Sequence, residues 1–470
     1  MRAMPGLPTP DRLRALVAGL ETGLIERDAA VRLSLLAALG GEHVLLIGPP
    51  GSAKSELARR LHRAFEGARY FERLLTRFST PEELFGPLSL AALEHDRYER
   101  LIDGYLPTAG IAFLDEVFKA NSAILNALLA LLNERVFDNG RERIAVPLVS
   151  VIGASNEVPA DEALLAFYDR FLLRVPVAPV SDAAFGELLA LPAATLPALV
   201  PLSTAERRAV IAARDALPLA DDAVAALTAL RLWLAAQGHA APSDRRWRQL
   251  AALMKVAAAT EGRAQADALD LRLAPYAVAH DPAQVASCEA WFVAEVAQAA
   301  PEDAAWLERA VQAFEQQLDI ERQLPADQGH DGAAGKLALA QALGADAGGA
   351  QSMASMRLVA SALESGAAGR RLFSALHVRT RCDQVREVRD AAEASLARTV
   401  ARRDARAARL ASRLWWPPSQ VARVLAGPNA TVATLAALIE RLAACEAGFA
   451  ALPLDHHAAH AEPPLPVRVA

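Results

Sequence analysis

A chain of 470 residues is well beyond the usual domain length of about 100–200 residues, which excludes a single compact core. Its side chains are 53% hydrophobic but only 5% aromatic, a mix that excludes disorder throughout and favours packed helices. A net charge of −6 supplies no global positive field for nucleic acid or an anionic membrane, and Cys288, Cys382 and Cys445 lack the spacing of a disulfide framework or a zinc site. Near the N-terminus, Pro5, Pro8, Asp11 and Arg14 interrupt the apolar residues, so no signal peptide is expected. From residue 10 to 180, helical patterns alternate with apolar runs at 43–47, 70–75, 111–114, 148–153 and 171–175. This predicts an α/β domain over 1–185, a parallel five-stranded sheet with helices on both faces. Over 186–280 the strand signals stop and Pro218, Pro242 and Pro275 separate helices, which predicts an all-helical domain. The uncharged run 188–205 carries Pro192, Pro197 and Pro201 and is too short and kinked to span a bilayer. A soluble, cytoplasmic chain with no stable membrane insertion is expected. Long helical patterns from Pro301 to about 324 and over 382–414 predict an antiparallel long-helix arm built from 281–324 and 380–450. The Gly/Ala-rich stretch 325–379 reads as an insertion, and 451–470, with His456, His457 and His460, as a flexible solvated tail.

The first apolar run is followed by Gly48-Pro49-Pro50-Gly51-Ser52-Ala53-Lys54-Ser55 and then a helical pattern. Phosphate binding needs inward backbone N–H groups at a helix N-terminus, an ammonium for the β and γ phosphates, and a hydroxyl for Mg²⁺; this segment supplies each. The chain has only four lysines, which makes Lys54 a pointed choice. Ala53 stands where a glycine is usual and is expected to start the helix, where a methyl group is tolerated. The run 111–114 ends in Asp115-Glu116, placing Asp115 to hold Mg²⁺ and Glu116 to polarise an attacking water. The run 148–153 leads to Asn156, a candidate for orienting that water. A nucleotide and Mg²⁺ are therefore the expected ligands of this segment, and the family resemblance below makes the nucleotide ATP.

The order P-loop, Asp-Glu strand, strand-tip Asn156 and Tyr168-Asp169-Arg170-Phe171 resembles the AAA+ ATPases, specifically the MoxR group and its RavA-type members. TRFSTPEELFGPLS (76–89), RYERLIDGYLPTAGIAFLDEVFKA (97–120), ILNALLALLNERVFDNG (124–140) and ASNE (154–157) look like that group's pattern. The resemblance is strong over 12–260 and weaker over the C-terminal helices. It implies that Lys54 contacts phosphates, Ser55 and Asp115 hold Mg²⁺, Glu116 is the catalytic base and Asn156 the first sensor. It further implies that Arg170 is an arginine finger reaching a neighbour's nucleotide in a homo-hexameric ring. Arg245 resembles the second sensor on the lid over 186–280, with Arg246 as the alternative. The segments 79–104 and 136–146 are similar to an insertion and a hairpin that face the ring pore or its upper surface. The resemblance makes them the expected place for gripping a client, with a pair of solvated surface hairpins as the alternative, since neither carries the aromatic pore loop of a threading motor. The implied activity is ATP-driven, chaperone-like remodelling or assembly of an unknown protein client, with a von Willebrand factor A (VWA) domain protein as partner. Residues 325–379 are too short and too Gly/Ala-rich to form the β-rich domain of RavA-type proteins, so the decarboxylase partner of that domain is not implied. Two rival readings are a nucleic-acid motor, opposed by the acidic charge balance, and a nucleotide-switched scaffold, opposed by the complete Asp115-Glu116 and Arg170 set.

Overall fold

Runs of large apolar side chains without polar alternation suit strands buried on both faces, and β1 (Val44–Ile47), β3 (Ile111–Asp115) and β6 (Ser150–Ser155) are buried almost throughout. In this computed structural model, which describes residues 6–159, 161–192, 197–297, 304–324, 371–455 and 462–468, they are joined by β2 (Tyr70–Leu74) and β7 (Leu173–Pro176). The sheet order is β2-β3-β6-β1-β7 and every pairing is parallel, so all five C-terminal strand tips share one edge. The two remaining strands, β4 (Val136–Asn139) and β5 (Glu142–Ala145), form a separate antiparallel hairpin.

Helices cover both faces, as the alternating pattern predicts. On one side, α1 (Pro10–Glu21) starts with Thr9 as N-cap and Pro10 in its first turn, and buries Leu13, Leu16, Val17 and Leu20 at helical spacing. With α2 (Asp28–Gly40) and α3 (Lys54–His62) it shares a core that runs on into the helical domain. On the other face, α6 (Ser122–Glu134) packs Ile124, Leu128 and Leu131 with Phe85, Phe167 and Phe171. The helical domain contains α9 (Thr204–Ala216), α10 (Asp221–Ala236), α11 (Asp244–Thr260), α12 (Ala274–Val278) and α13 (Pro282–Phe292).

The chain divides into two compact units, Met1–Ala299 with Ala407–Val424, and Ala300–Arg406 with Leu425–Ala470. The boundary expected at 280 therefore lies inside the first unit, because α13 buries Val285, Cys288 and Phe292 in its core. Residues 407–424, expected in the arm, also return to this unit. There Trp415 is 1% exposed and its indole N–H donates to Thr260 Oγ1 at 2.7 Å. Arg413 pairs with Asp267, Arg32 donates to the carbonyls of Leu414 (2.6 Å) and Trp416 (3.2 Å), and Asp28 accepts from Ser419 at 3.0 Å.

In the second unit, the expected antiparallel pair is a three-helix core made by α14 (Ala305–Gln323) with parts of α15 (Ala375–Ala411) and α16 (Pro418–Ala450). Glu321, near the end of α14, pairs with His377 and Arg381 near the start of α15 at 3.0 and 2.9 Å. The inserted stretch is shorter than 325–379, since Phe373 is buried, its N–H donates to Pro453 O at 2.8 Å, and Ser374 Oγ accepts from His377 N at 3.1 Å at the start of α15. The tail is likewise tied down at both described ends, by buried Leu452 and by Arg381 donating to Leu465 O at 2.7 Å. Residues 325–370 and His456, His457 and His460 lie outside the described residues. Among the described residues, α16 alone is long and apolar enough to cross a bilayer by length and composition. Its Leu435, Leu438 and Leu442 are buried in the second unit, while alanines such as Ala426, Ala430 and Ala433 are exposed.

Candidate functional site

The loop after β1 is shaped by two close constraints. A Cβ on Gly48 would sit 2.0 Å from Val177 O, so only glycine fits where β1 leaves the sheet beside β7. Gly51 has φ +80, a left-handed turn residue with open space around its Cα. Pro49 and Pro50 carry the chain outward, and Ser52 Oγ donates to Pro49 O at 2.8 Å, closing the turn. Ala53 precedes α3 with φ 64, in the left-handed region. The methyl group expected to be harmless therefore carries a backbone cost, of about 1–2 kcal/mol for a non-glycine residue. Lys54, 6% exposed, folds over the loop and donates to the carbonyls of Gly48 (2.7 Å) and Pro49 (2.8 Å), and Ser55 follows it on α3. Burial pushes the Lys54 ammonium below its ordinary pKa, while the carboxylates of Asp115 and Glu116 act in the opposite direction.

Those two acids stand at the tip of β3, two strands from β1 across β6. Asp115 Oδ1 accepts from Glu116 N at 3.0 Å, and Glu116 adopts φ 51, a second strained non-glycine corner at the site. Both Glu116 oxygens are held: Oε1 accepts from Asn156 Nδ2 at 2.6 Å, and Oε2 pairs with Lys119 Nζ at 3.1 Å. Asn156 follows directly on β6, so the loop, the acid pair and the asparagine predicted from sequence gather on one edge. Lys119 was not singled out as a site residue. Its signal was its position three residues after Glu116 in a chain of four lysines.

The arginines lie on the other edge. Arg170 sits between α7 (Glu162–Tyr168) and β7, before the paired stretch Val44↔Leu173 to Ile47↔Pro176, whereas the P-loop follows that stretch. A four-residue strand spans roughly 10 Å, so Arg170 is remote from its own P-loop. Its Nε is buried without an acceptor, and no carboxylate pairs with it among the described residues. Burial, with the Arg245 charge nearby, pushes its pKa down. Arg245 is exposed at the start of α11 and reaches Asn133 Oδ1 at 3.4 Å, on the same side as Glu42 just before β1. Arg246, the alternative lid sensor, is 3% exposed and spends its donors on Asp169 and on the carbonyls of Phe171, Leu172 and Ala277. It has no donor left for a phosphate. Two other arginines near this edge are also committed: Arg174 to Ala279 O at 2.9 Å, and Arg135 to Gly41 O at 2.5 Å and Val149 O at 3.2 Å.

A parallel sheet of this order, with a phosphate loop on β1, an acid pair on β3 and a helical domain in the same unit, defines a P-loop nucleotide-binding module of AAA+ architecture. Residues 11–195 match the family model described as the MoxR domain in the MoxR-vWA-beta-propeller ternary systems, and 222–292 match that of an AAA lid domain. Protein MoxR of Paracoccus denitrificans is 29% identical over 173 residues, 35% of this chain and 50% of its own. Two uncharacterized proteins of Methanocaldococcus jannaschii are each 54% identical over 156 residues, 33% of this chain. The match spans only 41% and 42% of those two relatives' own lengths. A crystal structure from Cytophaga hutchinsonii aligns with 58% of this chain and 87% of its own at TM-score 0.47 and 17% identity. Residues 11–195 and 222–292 therefore carry a MoxR-type AAA+ domain and its lid.

Proposed function

We propose that this chain is a RavA-like member of the MoxR-type AAA+ ATPases that hydrolyses ATP with Mg²⁺ as a soluble, cytoplasmic homo-hexamer and uses the energy to remodel or assemble a protein client. The observation that carries the reading is the shared edge that holds buried Lys54, half-buried Asp115 and Glu116, and exposed Asn156, with Glu116 and Asn156 in contact at 2.6 Å. In this reading Lys54 exchanges the carbonyls of Gly48 and Pro49 for phosphate oxygens, joined by the N–H groups at the start of α3. The Ser55 hydroxyl and the Asp115 carboxylate are hard oxygen donors beside that loop and suit Mg²⁺, which neutralises phosphate charge when bound. Glu116 takes the proton of the attacking water and Asn156 orients both. Arg170 and Arg245, on the far edge, serve the nucleotide of the neighbouring subunit.

The partner reading rests on the matched family model, whose description joins such domains to vWA and β-propeller proteins in ternary systems. Client contact is assigned to 79–104 and 136–146. Asn139 bonds the backbone of Arg100 in both directions, at 2.7 and 3.1 Å, which joins the two segments. Leu90 is 75% and Tyr98 58% exposed there, and neighbouring Phe78 91%, which supports contact with a client's apolar side chains.

Phosphate release from Mg-ATP, together with binding of a fluorescent ATP analogue, tests the activity. Turnover is expected for the wild type, no binding for Lys54→Ala, and retained binding with turnover reduced about 100-fold or more for Glu116→Gln. A wild-type chain that binds ATP without turnover, or Glu116→Gln with normal turnover, rejects the hydrolytic assignment. Light scattering with ATP tests the hexamer.

A further inference from the structure

The corner before α2 brings together three distant segments. Arg27 is 6% exposed; its Nε donates to Ser52 O in the P-loop at 3.1 Å, its Nη1 to Glu26 O at 2.9 Å, and its Nη2 to Ala178 O just beyond β7 at 2.8 Å. The corner is held from outside as well, since Glu26 has φ 54 and its carboxylate accepts from Ser181 N at 2.8 Å and Ser181 Oγ at 2.5 Å. Every acceptor of the Arg27 guanidinium is a neutral backbone carbonyl, and no carboxylate forms an ion pair with it among the described residues. The Glu26 carboxylate favours the charged form from nearby without pairing directly, yet burial still pushes the Arg27 pKa down. A cation so incompletely compensated is costly, and proteins retain one where its charge or its geometry is used.

Both uses point at the same loop. By drawing the Ser52 carbonyl toward itself, Arg27 fixes the peptide orientation next to Ala53 and Lys54, where the phosphate-facing N–H groups begin. Its bond to Ser52 O also sets its positive charge beside the loop that holds Lys54, so two buried cations flank the phosphate-facing N–H groups. We infer that Arg27 is a nucleotide-binding determinant of the P-loop: it positions the loop through the Ser52 carbonyl and adds positive potential that favours polyphosphate ligands in proportion to their charge. The inference deepens the ATP-binding reading above and rests on it. Arg27 reaches no phosphate itself, and it acts through the loop and through its field.

Two variants separate the contributions. Arg27→Gln keeps a hydrogen-bonding side chain but removes the charge, and Arg27→Lys keeps the charge but cannot make the three-way tie. Fluorescent analogues of ATP, ADP and AMP are titrated against the full chain in Mg²⁺, with thermal unfolding recorded without nucleotide. Arg27→Gln is expected to bind the ATP analogue about tenfold more weakly or worse, with a smaller loss for ADP and least for AMP. Arg27→Lys is expected to recover most of the ATP affinity. Nucleotide-free unfolding of Arg27→Gln is expected to stay close to that of the wild type, because the charge removed is desolvated and makes no direct ion pair. Wild-type affinity in Arg27→Gln, or equal losses for all three nucleotides, overturns the inference. A wild-type chain that binds no nucleotide overturns the ATP reading and this inference together. Unaltered wild-type binding alongside an unaffected Arg27→Gln overturns this one alone.

Discussion

Nε and Nη2 of Arg246 donate to Asp169 Oδ1 at 3.0 and 2.8 Å, so a lid side chain grips the residue immediately before Arg170. Nη2 also reaches Asp169 O at 2.9 Å and Phe171 O at 3.2 Å, and Nη1 donates to Leu172 O at 3.0 Å and Ala277 O at 2.7 Å. Arg246→Ala strands the buried carbonyls and is expected to cost about 1–3 kcal/mol, the range for unsatisfied buried acceptors, while the Asp169 carboxylate, 42% exposed, is rehydrated. Arg245→Ala, one residue away on an exposed position, is expected to change stability by no more than about 0.5 kcal/mol. Urea unfolding of the two variants without nucleotide compares them. A loss below about 1 kcal/mol for Arg246→Ala shows that water replaces the guanidinium and that Arg170 is not held in this way.

Arg170 is expected to act on the neighbour's nucleotide. Its Nε is buried without an acceptor among the described residues, and it lies across the sheet from its own P-loop. Arg170→Ala alone is expected to lose on the order of a thousandfold in turnover while binding ATP normally. Mixed rings of Arg170→Ala with Glu116→Gln regain activity at interfaces where an intact Glu116 faces an intact Arg170. A mixture that co-assembles yet stays as inactive as its parents rejects action in trans.

The left-handed Ala53, at φ 64, predicts an uncommon result for a loop residue. Ala53→Gly relieves the Cβ clash of that conformation but adds unfolded-chain entropy, so the net gain is at most about 1 kcal/mol. Ala53→Val adds a β-branched clash at the same φ and is expected to unfold at lower temperature and to bind ATP more weakly. Differential scanning calorimetry orders the three; a valine variant as stable as alanine shows that this φ is not maintained.

Glu42 gives a pH signature on the edge of Arg170 and Arg245. Burial pushes its carboxyl up to about 7, against the opposing charges of Arg135, Arg245 and Arg214 and a hydrogen bond from Gln249 at 2.8 Å. The folded chain therefore binds this proton more tightly than the unfolded chain. Stability contributed by Glu42 is present below its ordinary pKa of 4.5 and is lost as pH rises toward 7, by at most about 1.4 kcal/mol per pH unit. Glu42→Gln is expected to unfold at higher denaturant than the wild type at pH 8, with the gap closing toward pH 4.5. A gap that is the same at both pH values shows that Glu42 ionisation is not linked to folding.

The sheet and the phosphate edge were legible because their signals are local. Gly48 to Ser55, Asp115-Glu116 and Asn156 each sit within a short run whose spacing carries its own meaning. What separates Arg245 from Arg246 is not local: adjacent positions on one helix turn point to different surroundings, and only the acceptors around Asp169 show which one is spent. Arg27 carried no motif at all, since its partners Ser52 and Ala178 are far away in sequence. The start of α15 inside a Gly/Ala-rich stretch escaped composition because its anchor, Phe373, pairs with Pro453 across most of the second unit's sequence.

The return of Trp415 and Arg413 to Thr260 and Asp267 has a consequence for how such a chain can be inherited. The first unit is not one continuous stretch, so no single crossover exchanges the long-helix unit between relatives intact. A recombinant joined at 299 acquires a foreign segment in place of 407–424, and its Thr260 hydroxyl, Asp267 carboxylate and Asp28 cap must then meet side chains that did not evolve with them. The faces of the long helices can drift with whatever partner they serve, while the Trp-Trp-Pro-Pro corner changes only in step with the lid. Descent in this lineage is therefore expected to show the corner tracking the first 299 residues, whatever happens to the helices on either side of it.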